Sequence, residues 1–411
     1  MEVPDAVSEI TVTDQNREEN IQDVPVSVSN LQGEDLAIIT TGGTDVRALS
    51  ARVPSLIMES SFGRAFPRFY IRGLGNTDFD LNASQPVSMV VDEVVLENPV
   101  VKGMPLFDLD RVEVLRGPQG TLFGRNTPAG IVKFETVKPS QEFDAFVRAS
   151  YGTYSTTDIQ AAVGGGLGGG WSARFSGLYQ SRSNWVNNNH DPGDDLGGYE
   201  TAAYRLQLLW EPNDKFSGLL KVHGWDVSDG TARIFRANVF NTGSINLVDG
   251  IEQDQVWLNG LNTQEITARG GMLRLAYDFG GATLTSVTGY ESIRDMYSRG
   301  DIDGGTPDGP GFIPFQVESA GEIPSIDQWT QEFRLASNGG GDLNWLAGFF
   351  YFNEEININN YGYASVPPDY PQFVWAQQFQ EATAYAFLGN LNWQVADAWN
   401  LAGGLRYSSE E

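Results

Sequence analysis

The segment most able to do chemistry, by residue type and spacing, is residues 110–126, which read DRVEVLRGPQGTLFGRN. It combines glycines, which permit tight turns or the close approach of another backbone, with charged side chains set beside apolar ones. The glycines are Gly117, Gly120 and Gly124, and the charged residues are Arg111, Glu113, Arg116 and Arg125. On an isolated domain such a pattern is typical of a solvated charged face.

The composition excludes several other kinds of chemistry. The chain has no cysteine and only two histidines, His190 and His223, which excludes a thiol nucleophile and disfavours a histidine-rich metal or haem site. No P-loop, dinucleotide, zincin or nucleophile-elbow motif accompanies the many carboxylates. With 26 Lys+Arg against 53 Asp+Glu, the net charge of −27 disfavours binding to nucleic acid. We therefore predict no catalytic residue, no metal ligand and no cofactor.

The elements around this segment predict an α+β domain at residues 21–138. Helices are expected at 33–40 and 44–53, and strands at 87–95 and 111–115. Residues 1–20 form a polar arm without a signal-peptide pattern. The arm contains one short β-branched stretch, which consists of Glu9, Ile10, Thr11, Val12 and Thr13.

Residues 139–411 change in character and predict a long antiparallel β structure. In residues 171–180, Trp171 and Phe175 share one face while Arg174 and Ser176 share the other, and this alternation recurs in about 11 strands. The links alternate between short and long. The short ones are 164–170, 211–214, 280–281, 338–342 and 396–397, and the long ones are 184–198, 228–264, 298–325 and 359–377. This favours an outer-membrane barrel over a soluble sandwich or propeller, which use similar strands.

Residues 110–126 closely resemble the plug-domain signature of TonB-dependent outer-membrane receptors. Arg72, Gly73 and Gly75 lie in a stretch that resembles the family's Arg-Gly element, and residues 330–335 and 345–351 also look like the family. The resemblance runs from about residue 9 to the end, although residues 128–130 replace the usual glycine pair. It implies an α+β plug domain followed by a partial antiparallel transmembrane β-barrel, with about 11 of the family's 22 strands present. We accordingly expect a truncated chain.

The resemblance also implies roles for particular residues. Plug arginines of the family pair with barrel carboxylates, so we expect Arg72 and Arg116 to do so, with Glu332 as a candidate partner. The stretch from Glu9 to Thr13 is interpreted as a TonB box, which adds a strand to TonB. Two plug loops are candidate ligand contacts, through Phe62, Arg64, Phe66 and Arg68 in the first and Asn76, Asp78 and Phe79 in the second.

The implied function is energy-coupled import of a scarce, large nutrient across the bacterial outer membrane, with a ferric siderophore as the leading candidate. The implied partners are the inner-membrane TonB–ExbB–ExbD complex, the small-molecule ligand and outer-membrane lipid. Alternatives are import of an oligosaccharide, cobalamin or haem by the same mechanism, and a passive porin, against which the plug signature argues. A sigma-factor-linked transducer would need a signalling domain before the box, and a soluble carbohydrate-active enzyme would need carboxylates at a recognisable spacing.

Overall fold

The structure is a computed structural model in which the described residues are 11–12, 19–20, 27–50, 52–120, 127–191, 193–237, 239–241, 243–306, 309, 317–339, 341–364, 373–396 and 399–411. Glu9, Ile10 and Thr13 of the candidate TonB box lie outside them. Its remaining residues form strand β1 (Thr11–Val12), which pairs antiparallel with β2 (Glu19–Asn20). No helix in these ranges is long and apolar enough to cross a membrane.

The next part of the chain is a small α+β unit, which we call the plug. Its strands are β3 (Ser27–Gln32), β4 (Leu56–Glu59), β5 (Arg68–Ile71), β6 (Val87–Val91), β7 (Val94–Leu96), β8 (Leu109–Arg116) and β9 (Gly130–Thr136). Five of them form a sheet in the order β3-β8-β9-β6-β7, with β6 and β9 parallel, while β4 and β5 pair separately. Helix α1 (Gly33–Ile39) matches the helix predicted at 33–40.

Two plug elements differ from the sequence predictions. The helix expected at 44–53 is a single 3₁₀ turn, Val46–Leu49, capped by the Asp45 carboxylate, which accepts the Arg47 amide at 2.9 Å. The turn ends because Ser50 leaves the helical region with ψ of 132°. Pro54 further disfavours helical geometry at Val53. The strand expected at 87–95 is split between β6 and β7, because Asp92 and Glu93 both adopt left-handed backbone angles and form a two-residue hairpin turn.

After the plug, an 11-stranded antiparallel sheet follows in chain order, which confirms the predicted number of strands. Its strands are β10 (Asp144–Tyr151), β11 (Thr157–Gly168), β12 (Trp171–Arg182), β14 (Tyr199–Asn213), β15 (Phe216–Gly230), β17 (Thr263–Asp278), β18 (Ala282–Asp301), β19 (Val317–Ser337), β20 (Leu343–Ala364), β21 (Phe373–Ala396) and β22 (Trp399–Glu410). Two short strands, β13 (Asn187–Asn188) and β16 (Gln255–Val256), join two of the long loops by parallel pairing. Further 3₁₀ turns are Val101–Gly103 and Thr153–Ser155.

The sheet is polar on its inner face and apolar on its outer face. On β12, Phe175 is 50% exposed, whereas the neighbouring Arg174 and Ser176 are buried against the plug. Aromatic side chains also gather where short links join the strands, as in the stacked rings of Trp171 and Trp210 at 5.1 Å. Apolar side chains that face outward are stable in lipid, and aromatic rows at strand ends are typical of membrane interfaces.

The sheet wraps around the plug. Inner-face side chains from β11 to β19 bond to plug atoms: Gln160 donates to the Thr40 carbonyl at 2.9 Å, and Gln328 donates to the Val95 carbonyl at 2.8 Å. Apolar plug residues also pack against Phe350 on β20. Among the described strands, β10 and β22 are the two edges and do not pair with each other.

Candidate functional site

The plug meets the sheet through three carboxylates, the buried Asp92 and Asp108 and the partly buried Glu93, which we call the plug carboxylates. All three residues have positive backbone φ angles, of 47°, 75° and 48°. Such angles are unfavourable for residues with a side chain and persist where the surroundings hold them. Here the surroundings are basic side chains on the inner face of the sheet, which we call the sheet cations: Arg174, Arg205, Lys221, Arg274 and Arg334.

The hairpin turn between β6 and β7 carries two of these carboxylates. Lys221 Nζ lies 2.9 Å from Asp92 Oδ2, and both groups are 2% exposed. Asp92 also accepts the amide and the hydroxyl of Thr136, at 2.8 and 2.7 Å. On the adjacent residue, Glu93 Oε1 accepts Arg274 Nε at 2.7 Å, and Arg334 bonds to the other oxygen. One tight turn therefore bonds to three strands of the sheet.

Asp108, just before β8, forms the second connection to the sheet. Arg174 donates to both carboxylate oxygens, at 2.6 and 2.9 Å, and Ser176 bonds to one of them. Arg205 donates to the Asp108 carbonyl at 2.8 Å, and its guanidinium lies over the Phe107 ring at 4.7 Å. A bidentate arginine–carboxylate ion pair of this kind has a defined geometry and is strong when water is excluded.

The charges around Asp92 and Asp108 keep these two carboxylates ionised. Burial by itself would raise the pKa of Asp92, but the positive charges of Lys221 and Arg205 and the Thr136 amide outweigh it and hold the pKa well below its usual range. The pKa of Asp108 is likewise lowered: burial opposes the shift, and the hydrogen bonds from Arg174 and Ser176 outweigh it. Asp92 and Asp108 are therefore ionised at neutral pH.

The plug and the sheet carry charges of the opposite sign to those expected from the resemblance. Arg116 does not pair with a sheet carboxylate in the described structure but donates to Ser29 Oγ at 2.6 Å and to the Pro54 carbonyl at 3.0 Å. Arg72 is exposed, with φ of 53°, and Glu332 lies 3.7 Å from Arg334 of its own sheet. The expected Arg72 and Arg116 pairs with Glu332 are corrected accordingly: the plug supplies the acids and the sheet supplies the bases.

The remaining signature residues serve the plug itself. Arg111 Nε donates to Glu113 at 2.8 Å, and Glu113 is completely buried. Gly117 has φ of 97°, as a turn after β8 requires. Gly73 and Gly75 follow Arg72 in a turn, and a side chain at Gly75 would collide with the Tyr70 ring. Gly120 lies next to Thr127, whereas Gly124 and Arg125 lie outside the described residues.

The predicted ligand contacts are divided by the fold. Phe66 and Arg68 are buried within the plug, where Arg68 donates to Glu59 at 2.8 Å. Phe62 is also buried, beneath Arg233 at 4.6 Å. Of these four residues, Arg64 lies in the lining of the cavity described below. Asn76, Asp78 and Phe79 form a separate loop, in which Phe79 is 64% exposed.

The cavity beside Arg64 has a volume of ≈ 410 Å³ and lies between the plug and the long loops of the sheet. We call it the arginine cavity. Its charged and aromatic lining residues are Arg47, Arg64, Arg182, Trp185, Tyr199, Arg233 and Phe235. Sequence reasoning missed all of these except Arg64. Their position in the sequence was the available signal for a site. Arg182 is the last residue of β12 and Tyr199 is the first residue of β14, so the two residues lie at the two ends of one long link.

Two of the long loops form one packed unit beside this cavity. Strands β13 and β16 pair, and the buried apolar side chains of Val186, Leu196, Val256 and Leu258 pack with Trp185. The unit therefore holds Trp185 in place without help from a ligand. Within the described ranges, no group of three or more His, Asp or Glu side chains is placed to hold a metal ion.

A plug held by charge pairs inside an antiparallel sheet with an apolar outer face is the architecture typical of a plugged outer-membrane protein. Residues 20–131 match the family model of the TonB-dependent receptor plug domain. The chain is similar to the pesticin receptor of Yersinia enterocolitica, with 21% identity over 87% of this chain and 50% of the relative. It thus spans about half the length of the curated relatives it matches.

Two solved structures have the same fold. The ferric yersiniabactin uptake receptor FyuA from Yersinia pestis superposes with a TM-score of 0.77 and 19% identity, over 94% of this chain and 56% of that one. The pyoverdine outer membrane receptor FpvA from Pseudomonas aeruginosa PAO1 gives 0.76 and 14%, over 97% and 59%. The predicted resemblance to TonB-dependent outer-membrane receptors is confirmed, and the same relatives support an outer-membrane location.

Proposed function

We propose that this chain acts in the energy-coupled import of a ferric siderophore across the outer membrane. The observation that carries the proposal is a folded plug that occupies the inside of the sheet and is fastened by the plug carboxylates. A solute that crosses this sheet has to displace or rearrange the plug, which requires work. A passive porin needs no such domain, and the relatives whose names state a cargo include receptors for ferric yersiniabactin and pyoverdine.

The work is proposed to come from TonB, through the stretch from Glu9 to Thr13. Thr11 and Val12 pair with Asn20 and Glu19, so the backbone there adopts an extended form able to add to another sheet. TonB would take the place of β2 beside β1. Pulling on this strand would then put force on the plug, whose ion pairs with the sheet are made by the plug carboxylates. No catalytic step is part of this proposal.

The test is iron uptake in living cells. A strain that lacks the gene, its parent and a TonB-deficient derivative are grown under iron limitation and supplied in turn with radiolabelled ferric siderophores. We expect at least one siderophore whose uptake needs both the gene and TonB. Uptake that needs the gene but not TonB would support a passive channel instead. Equal uptake of every iron source by all three strains, together with gene-dependent growth on a sugar or cobalamin, would contradict the siderophore proposal.

A further inference from the structure

The arginine cavity has a charge opposite to that of the whole chain. The chain carries 53 acidic against 26 basic residues, yet the lining of this cavity includes four arginines and no aspartate or glutamate. Asp45, just behind the lining, neutralises part of this charge: it lies 2.6 Å from Arg47 and 3.8 Å from Arg64. The cavity therefore keeps an excess of positive charge in an acidic protein.

Arg233 is the least satisfied of the four arginines. Its Nε and one terminal nitrogen are buried and have no hydrogen-bond acceptor in the described part of the chain. Its remaining contacts are Ser319 Oγ at 3.3 Å and the face of Phe62. Burial lowers the pKa of Arg233 to about 10, so it stays protonated at neutral pH. Buried N–H groups of a cation that lack an acceptor are costly, and a bound anion would offset that cost.

The rest of the lining is aromatic and held in place. The Tyr199 ring lies 3.8 Å from the Arg64 guanidinium and 4.9 Å from that of Arg182, and its hydroxyl donates to the Gly43 carbonyl at 2.6 Å. Trp185 is held by the packed loop unit, and Phe235 adds a partly exposed ring. Flat rings beside guanidinium groups suit a ligand that is itself flat and anionic. The volume of ≈ 410 Å³ lies within the usual range for small-molecule sites.

We infer that the arginine cavity selects a ferric chelate that carries net negative charge and planar aryl groups, and discriminates against cationic hydroxamate chelates. The inference rests on the proposed function, since it names the class of chelate that the receptor takes. Arg233 supplies the unsatisfied donors, Arg47, Arg64 and Arg182 supply further positive charge, and the rings of Trp185 and Phe235 supply the flat apolar surfaces. The separate loop of Asn76, Asp78 and Phe79 has no part in it.

The test is calorimetric titration of the purified protein in detergent with two probes of opposite charge. The first is a ferric tris-catecholate chelate, which is anionic and aromatic, and the second is a ferric trihydroxamate with a free amine, which is cationic. We expect the first to bind at least about tenfold more tightly, with an affinity that weakens as salt is added. Equal affinity, or preference for the cation, would overturn the inference.

Variants of Arg233 test whether its charge is the cause. Arg233→Gln is expected to weaken binding of the anionic probe about tenfold or more, and Arg233→Lys, which keeps the charge but loses the guanidinium N–H groups, should weaken it by less. The matched control is Arg236→Gln in the same loop, where Arg236 is exposed and donates to the Gln253 and Gln255 carbonyls. A loss of equal size in the Gln and Lys variants, or in the control, would contradict the assignment.

If the Arg233 variants do not fold, Arg64→Gln tests the same inference and should also weaken binding of the anionic probe. Circular dichroism measures whether each variant is folded. The proposed function fails separately from this inference. TonB-dependent uptake of the cationic chelate in preference to the anionic one would support the proposed function and contradict the inference. Tight, arginine-dependent binding of the anionic probe without any TonB-dependent uptake would contradict the proposed function but would support the charge preference of the cavity.

Discussion

Replacing Lys221 by methionine tests whether the buried charges fasten the plug. The change leaves Asp92, which is 2% exposed, with the two Thr136 hydrogen bonds but without its 2.9 Å partner. Removing one partner of a buried ion pair costs about 3–5 kcal/mol, because the other charge remains desolvated. Local opening of the plug should become more frequent by the same free energy, which corresponds to a factor of roughly 10² to 10³ or more.

Hydrogen–deuterium exchange of the purified protein measures this opening. Peptides that cover β6 to β9 should exchange faster in Lys221→Met, while peptides from the outer strands should not change. The double variant Asp92→Asn with Lys221→Met should recover much of the loss, because a neutral pair needs no counter-charge and asparagine tolerates the left-handed turn. The matched control is Arg269→Gln, which breaks an exposed pair with Asp226 at 3.1 Å and should cost no more than about 1 kcal/mol.

The reasoning would be refuted by exchange in Lys221→Met that stays within about threefold of the unchanged protein, since that ratio corresponds to less than 1 kcal/mol. It would also be refuted if Arg269→Gln loosened the plug as much as Lys221→Met did. In either case the plug would be held by its apolar contacts, and the plug carboxylates would be ordinary polar contacts.

Three further predictions concern the plug and its N-terminal strand. Proline at Ile10 or Val12 removes a strand hydrogen-bond donor and should abolish TonB-dependent uptake without lowering the amount of protein in the membrane; normal uptake by both variants would refute the TonB box. Because the pKa values of Asp92 and Asp108 are lowered in the folded protein, their stabilisation is complete above the unfolded value of about 3.9 and is lost as the pH falls through the lower folded values. Exchange of plug peptides, corrected for the intrinsic rate, should therefore stay slow from pH 7 to about 5 and accelerate below about 4; loosening near pH 6 would contradict this. Gly130→Ala, which places Cβ 2.2 Å from the Leu115 carbonyl at φ of 140°, should destabilise the plug by at least about 1–3 kcal/mol in urea titration, whereas Gly281→Ala, with open space around it, should not.

Most of the fold could be predicted because it depends on local patterns. The alternation of Arg174 and Ser176 with Trp171 and Phe175 predicted a strand with one polar face, and the structure has that strand. The helix at 33–40 was predicted in the same way. The turn at Asp92 and Glu93 was missed, because neither residue is the glycine or asparagine that usually marks left-handed turns.

The site was predicted less well than the fold. Phe62, Phe66 and Arg68 have the right residue types for a ligand contact, but the plug buries them, and residue type does not report burial. Arg233 and Tyr199 were missed because each lies far along the chain from Arg64, with nothing local to join them. The expected pairing of Arg116 with Glu332 does not form, for a similar reason. Both residues carry a charge, but charge alone does not specify a partner, and in the structure the acids come from the plug and the bases from the sheet.

The sequence by itself determined the plug signature, the number of strands and the polar and apolar faces of the sheet. These features follow from the two-residue period of a strand and from motifs within about 20 residues, which act wherever the chain is placed. Only the tertiary structure decided which charges meet. Glu93 bonds to Arg334 across 241 positions of the chain, and Asp92 bonds to Lys221 across 129. Those pairs exist because the sheet wraps the plug and excludes water, so each buried carboxylate needs the base that the opposing strand brings to it.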